Sequence, residues 1–207
     1  MSDEEREHWL SELRRVWCPD FVHKMQPMGA RAIASLEPHY AARRDLARRF
    51  KPKWLLELGV QCGHGAFAFH YGSPGLHYLG IDSYADTDGI PMDAYRQHAA
   101  ALLKVEGING SIIQANTASV ERIHGEYDMV MVDGGHGFSY CYHDLELAAR
   151  CSKLVLVDDY LVKWKRPRKN RYNDVTRAVQ AFCQGHPDVR LETVEIPGAW
   201  SIAILHI

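Results

Sequence analysis

The chain is short of several things, and each shortage removes a class of protein. Its five cysteines (Cys18, Cys62, Cys141, Cys151 and Cys183) are odd in number and scattered. None forms a Cys-x-x-Cys pair, which argues against a structural zinc site and a disulfide framework. Reduced thiols in a cytoplasmic setting are the expectation. No apolar run approaches the roughly 20 residues of a membrane span. The start, Met1-Ser2-Asp3-Glu4-Glu5, is acidic, whereas a secretory leader begins basic and turns apolar. Neither charge dominates: 24 Lys and Arg face 26 Asp and Glu, a net charge of -2. That balance argues against a broad nucleic-acid or membrane footprint. Internal repeats and low-complexity segments are missing too. What remains is 207 residues of ordinary composition, 46% hydrophobic and 24% charged, enough for one well-filled domain.

Apolar periodicity divides the chain. Residues 3 to 17 read as an amphipathic helix with Trp9, Leu10, Leu13, Val16 and Trp17 on one face. That face could cover the chain's own sheet or a second copy, so self-association through the N-terminal helices is open. A second helical region runs from about Arg31 to Phe50, with an interruption expected at Pro38. Residues 1–50 thus form an N-terminal helical cap on a domain spanning 51–207. Within that domain short, charge-poor runs alternate with helices: Trp54 to Leu58, His77 to Ile81, Ser111 to Gln114, Asp128 to Val132 and Leu154 to Val157. Helices are expected at Pro91 to Val105 and Tyr140 to Arg150. Such alternation predicts an α/β fold with a doubly wound, mostly parallel sheet. Val189 to Ile196 and Ala199 to Ile207, parted by Pro197-Gly198, read as an antiparallel C-terminal hairpin that brings the sheet to seven strands.

The first strand runs into Glu57-Leu58-Gly59-Val60-Gln61-Cys62-Gly63-His64-Gly65. Glycines at this junction let a backbone approach a ligand at the carboxyl end of a parallel strand. The order lacks the glycine two after Gly59 that a dinucleotide fingerprint has, which speaks against a nicotinamide cofactor. It resembles the first motif of class I S-adenosylmethionine (SAM) methyltransferases, with their Rossmann-like sheet. The plain alternative is an ordinary strand-turn-helix junction. Asp82 ends the second strand, where an acid can accept both hydroxyls of a ribose; it could equally cap a helix. The resemblance makes Glu57, Gly59, Gln61, Gly63, Asp82 and, near the adenine, Asn116 the cofactor-binding candidates. Asn116 or Thr117 could instead be an N-cap.

The fourth strand ends Val132-Asp133-Gly134-Gly135-His136 and the fifth Val157-Asp158-Asp159-Tyr160. In a doubly wound sheet both ends face one crevice, so Asp133, Asp158 and Asp159 are expected to converge. Crowded carboxylates resist ionisation, and a hard divalent cation such as Mg²⁺ would relieve them. His136, three residues past Asp133, could take a proton from an acceptor hydroxyl near neutral pH; it could also merely cap the next helix. With Asp144-Leu145, these residues look like the metal-dependent O-methyltransferases that act on macrolide sugars, the macrocin and mycinamicin type, whose general pattern cephalosporin-hydroxylase-like proteins share. That resemblance implies Asp133, Asp158 and Asp159 as ligands of Mg²⁺ or another divalent cation, Asp133 at the cofactor and in catalysis, and His136 as the base. The acceptor would be a small hydroxylated molecule. The basic stretch from Lys163 to Arg171 is either solvated surface or an acceptor loop, with Tyr160 and Trp164 to stack and Lys163 and Arg166 to attract acidic groups. Two other readings compete. Asp133, His136 and His143 could hold the iron of an oxygenase, or the chain could bind SAM without catalysis.

Overall fold

A computed structural model of the protein describes residues 2–18, 22–23, 26–27, 30–85, 92–161, 174–196 and 200–207. Helix α1 (Asp3–Arg15) begins at a capping box: the Ser2 side chain accepts from the Glu5 amide, and the Glu5 carboxylate accepts from the Ser2 amide. A two-residue antiparallel pair, β1 (Val22–His23) and β2 (Gln26–Pro27), precedes α2 (Ala30–Phe50). Pro38 does not interrupt α2. Proline there forfeits one helical hydrogen bond, but Glu37, His39, Tyr40, Ala41, Arg43, Arg44, Leu46 and Ala47 are all buried around and beyond it. Tertiary burial holds the helix through its weak turn.

The parallel sheet follows as β3 (Trp54–Leu58), α3 (His64–Gly72), β4 (His77–Asp82), α4 (Met92–Val105), β5 (Asn109–Gln114), β6 (Met129–Val132), α5 (Phe138–Ala149) and β7 (Leu154–Tyr160). After α6 (Asp174–Gly185), the antiparallel strands β8 (Arg190–Val194) and β9 (Ser201–His206) close it. The spatial order is β5-β4-β3-β6-β7-β9-β8, with β9 inserted antiparallel beside β7. From β3 the chain winds one way to β5, then returns to β6 on the other side. The switch point between β3 and β6 opens a crevice at their carboxyl ends. The seven-stranded, mostly parallel sheet and its C-terminal antiparallel pair are thus as the periodicity predicts. Pro91, Pro197 and Gly198 lie outside the described residues.

Strand alternation sorts side chains into two cores. Leu55, Met129, Met131 and Leu156 face α1, α2 and α3, meeting Trp9, Leu13, Tyr40 and Phe67. Leu56, Val130, Val132, Val155 and Val157 face α5 and α6, meeting Leu145 and Phe182. The apolar face of α1 is therefore spent within the chain: Trp9 stacks on Phe67 with ring centroids 5.9 Å apart. Among the described residues no helix is long and apolar enough to cross a membrane.

Candidate active site

The same alternation decides where each site carboxylate points. Glu57 lies two residues beyond Leu55, Asp133 two beyond Met131, and Asp158 two beyond Leu156. All three belong to the face that looks towards α2, at the ends of adjacent strands β3, β6 and β7. From α2, Arg43 enters among them and is only 3% exposed. Its Nη1 donates to Glu57 Oε1 at 3.2 Å and its Nη2 to Asp133 Oδ2 at 2.6 Å and to Asp158 Oδ2. His39, one turn earlier on α2, places Nε2 at 2.7 Å from the same Asp158 oxygen. Tyr78 on β4 donates its hydroxyl to Glu57 Oε2 at 2.5 Å.

These contacts set the ionisation of the cluster. Burial pushes Glu57 up to about 8 against the opposing pull of Arg43. It raises Asp133 to about 7, again opposed by Arg43. Burial works against the charge on Asp158 as well, but His39 and Arg43 outweigh it and hold that carboxyl below the ordinary range. Arg43 remains a cation throughout.

Asp159 takes a different partner. β7 bulges here, which breaks the strict alternation of faces. Its register against β9 shifts between Val157 and Tyr160, and Asp159 sits at φ 55° with its amide donated to Asp158 Oδ1 at 2.8 Å. The Asp159 carboxylate meets His136 instead, Oδ2 to Nε2 at 2.8 Å. That hydrogen bond raises the imidazole to about 9, with burial opposing. The His136 side chain is 66% exposed and that of Asp133 25%, so both are open to solvent. The bulge has a second effect. It turns Tyr160 onto the face of Val157, where its ring is buried in the α5 and α6 core.

On the other side of the switch point lies the glycine turn. Gly59, Gln61 and Gly63 all take positive φ, of 93°, 52° and 81°. At Gly59 a Cβ would lie 2.1 Å from the Asp133 carbonyl oxygen, so the β3 and β6 loops can pass only with glycine there. Gly63 starts α3 with no side-chain cap. Asp82, from the end of β4, accepts from the amides of Val60 and Gln61, both at 2.8 Å on Oδ2, and from Tyr84 at 2.8 Å on Oδ1. Asn116 accepts from the Ala118 amide at 3.0 Å and so takes its N-capping alternative, on an exposed turn.

Several expectations are corrected by this geometry. Asp133, Asp158 and Asp159 do not gather into one set, and no cluster of three or more His, Cys, Asp or Glu side chains fit for a metal exists among the described residues. Two of the three converge, but on a guanidinium. Glu57 is not at the crevice surface; it is enclosed by Arg43 and Tyr78. Gly65 serves that pairing, since a Cβ there would lie 2.3 Å from Glu57 Oε1 and 2.5 Å from Arg43 Nη1. Tyr160 presents no ring to an acceptor. Lys163, Trp164 and Arg166 lie outside the described residues. The residues that sequence reasoning missed are Arg43, His39 and Tyr78. A signal for Arg43 was present: it falls on the buried stripe of α2, three after Tyr40 and four before Ala47, where a cation needs an anionic partner.

No protein-family model and no curated protein sequence matches this chain. Solved structures do match it in shape. An O-methyltransferase from Bacillus cereus in complex with SAH superposes with a TM-score of 0.62 at 12% identity, covering 100% of this chain and 92% of that one. TomG from Streptomyces achromogenes, an O-methyltransferase of tomaymycin synthesis in complex with SAM, gives 0.61 at 16% identity over 100% and 91%. A SAH-bound methyltransferase from Podospora anserina gives 0.57 at 18% identity over 100% and 88%. The fold of this chain is that of the class I methyltransferases.

Proposed function

We propose that the chain is a SAM-dependent O-methyltransferase acting on a small hydroxylated molecule, sugar-like or otherwise polyhydroxylated. One juxtaposition carries the reading. At the switch point of the sheet, the glycine turn held by Asp82 packs at Gly59 against Asp133 and Gly134, the start of the loop that carries His136 to its partner Asp159. Three positive-φ residues in five positions and an uncapped helix start suit a ligand that approaches backbone closely. Asp82 holds two amides of that turn and is the residue best placed to receive ribose hydroxyls. The solved structures of this fold that hold SAM or SAH support the cofactor.

When bound, SAM supplies an electrophilic methyl group. The chain's own work is to place an acceptor hydroxyl in line and to receive its proton. His136 is the candidate base. Its Nε2 is committed to Asp159, so the ring is oriented and Nδ1 is the nitrogen left to accept the proton. Asp133 fixes the start of the loop that carries His136: its amide donates to the Leu58 carbonyl, its own carbonyl lies against Gly59, and its partly exposed carboxylate is held by Arg43.

The macrocin-type, Mg²⁺-dependent version of this chemistry does not fit the residues. One oxygen of Asp133 and one of Asp158 are already on the Arg43 cation, which offsets the charge of the pair, and Asp159 is on His136. The iron-oxygenase alternative fares no better, because His143 directs Nε2 to the carbonyls of Thr117 and Val120 at 3.0 and 3.1 Å. Those contacts take Nε2 of His143 away from a metal, and no cluster of three or more such ligands exists among the described residues.

The test is titration calorimetry with SAM and SAH, followed by transfer of a radiolabelled methyl from SAM to a panel of sugar and phenolic hydroxyl compounds. Saturable SAM binding with transfer to at least one hydroxyl is expected. Binding without transfer to any acceptor would favour a non-catalytic SAM-binding protein, and failure to bind SAM would end the reading.

A further inference from the structure

The site has a cation of its own. Glu57, Asp133 and Asp158 stand on one face of three neighbouring strands, and the guanidinium of Arg43 joins all three. Its two arms divide the work: Nη1 takes Glu57, and Nη2 takes one oxygen of Asp133 and one of Asp158. A Mg²⁺ ion bridging the two Oδ2 atoms that Arg43 holds would lie about 2.0–2.1 Å from each, in the space Nη2 fills. Arg43 cannot simply swing away to admit it. The side chain is enclosed, with its guanidinium carbon 5.6 Å from the Tyr40 ring centre, and Nε lies buried without a hydrogen-bond partner. Vacating the position would leave Glu57 and Asp158 buried and Asp133 partly buried without a cation that holds its charge at every ordinary pH, with Tyr78, His39 and the Asp159 amide as remaining partners.

We propose that Arg43 is a positioning residue standing where a divalent cation would otherwise sit, and that methyl transfer by this chain needs no metal. The guanidinium holds Asp133 from behind, so that the carboxylate and the Gly134-Gly135-His136 loop after it keep one position at the crevice. Arginine does this with a charge that neither chelators nor ordinary pH can remove. The inference rests on the methyltransferase reading for the word transfer; its statement about metal binding does not.

The first experiment therefore uses Mn²⁺ alone on the full chain, followed by electron paramagnetic resonance and calorimetry. The wild type is expected to show no saturable site tighter than on the order of 1 mM. A micromolar site that Mg²⁺ competes for and Asp133→Asn abolishes would overturn the proposal. Arg43→Met, which removes the charge at similar volume, is expected to gain a Mn²⁺ site at least roughly tenfold tighter than any in the wild type. If that variant folds and gains nothing, the carboxylates are not a latent metal site and the substitution idea fails. If it does not fold, the wild-type Mn²⁺ titration decides between the two outcomes. The second experiment measures SAH formation from SAM with any acceptor found above, after exhaustive chelation. Activity within about twofold of the untreated enzyme is expected, with Arg43→Lys lowering kcat more than it raises the KM for SAM. A chelator-induced loss of roughly tenfold or more that Mg²⁺ restores would refute the proposal. Failure to find any SAM binding would defeat the functional reading and leave the Mn²⁺ result to judge Arg43.

Discussion

The pairing of His136 with Asp159 makes a prediction that needs no acceptor. In the folded chain the imidazole is lifted from its ordinary 6.5 to about 9, chiefly by the 2.8 Å hydrogen bond to Asp159 and less by the nearby Asp133 and Asp158 charges. With a midpoint about 9, only about 1% of His136 is neutral at pH 7. Asp159→Asn keeps the shape of the partner and removes its charge. The midpoint should then fall to within about one unit of 6.5, the remainder coming from the two other acids. The assay is a pH titration of histidine-labelled protein by NMR, with the His136 signal assigned by its loss in His136→Gln. Once an acceptor is known, the rate should rise with pH up to about 9 in the wild type. In Asp159→Asn that rising limb should sit correspondingly lower. A wild-type midpoint at or below 6.5, or one that Asp159→Asn leaves in place, would refute the dyad.

Other outcomes follow from named contacts. Gly59→Ala places a Cβ against the Asp133 carbonyl at a backbone angle of 93°, and should lower stability by several kcal/mol or prevent folding, read by thermal denaturation. Asp82→Ala frees the Val60 and Gln61 amides and should weaken SAM binding by roughly tenfold or more, measured by calorimetry, with Asp82→Asn intermediate. His64 is buried against Trp17, and burial lowers it to about 3. The unfolded chain takes up a proton there below its ordinary 6.5 while the folded chain does not, so its stabilising contribution is complete above pH 6.5 and is lost as pH falls towards 3. Denaturant melts of His64→Gln should show a shallower acid limb than the wild type.

Some of this could be read without coordinates because its causes are local. The glycines that turn β3 into α3, and the short charge-poor runs that must be strands covered on both faces, are properties of neighbours in sequence. So is the acid at the end of β4, and Asp82 lies at the turn as expected. Pro38 does not break α2 because what holds the helix there is tertiary: the contacts of its buried face. The metal set misled for a sharper reason. Asp158 and Asp159 are adjacent, but β7 bulges at this pair, so Asp158 meets Arg43 and His39 while Asp159 meets His136. The bulge that turns Tyr160 into the core leaves no mark in composition.

The least legible part of the site is the part that comes from outside the sheet domain. Arg43 and His39 arrive on α2, a helix that periodicity assigns to a cap. Yet α1 and α2 share one core with β3, β6 and β7, and they close the sheet face on which Glu57, Asp133 and Asp158 end. Asp158 could not remain buried and charged without the cation brought across by the helix, and the same guanidinium opposes the rise that burial imposes on Glu57 and Asp133. A buried arginine is costly by itself, and so are buried carboxylates by themselves; each makes the other tolerable only when α2 is docked. The helix that completes the hydrophobic core is therefore the same one that sets the charge of the crevice, so assembly of the fold and assembly of the site are one event.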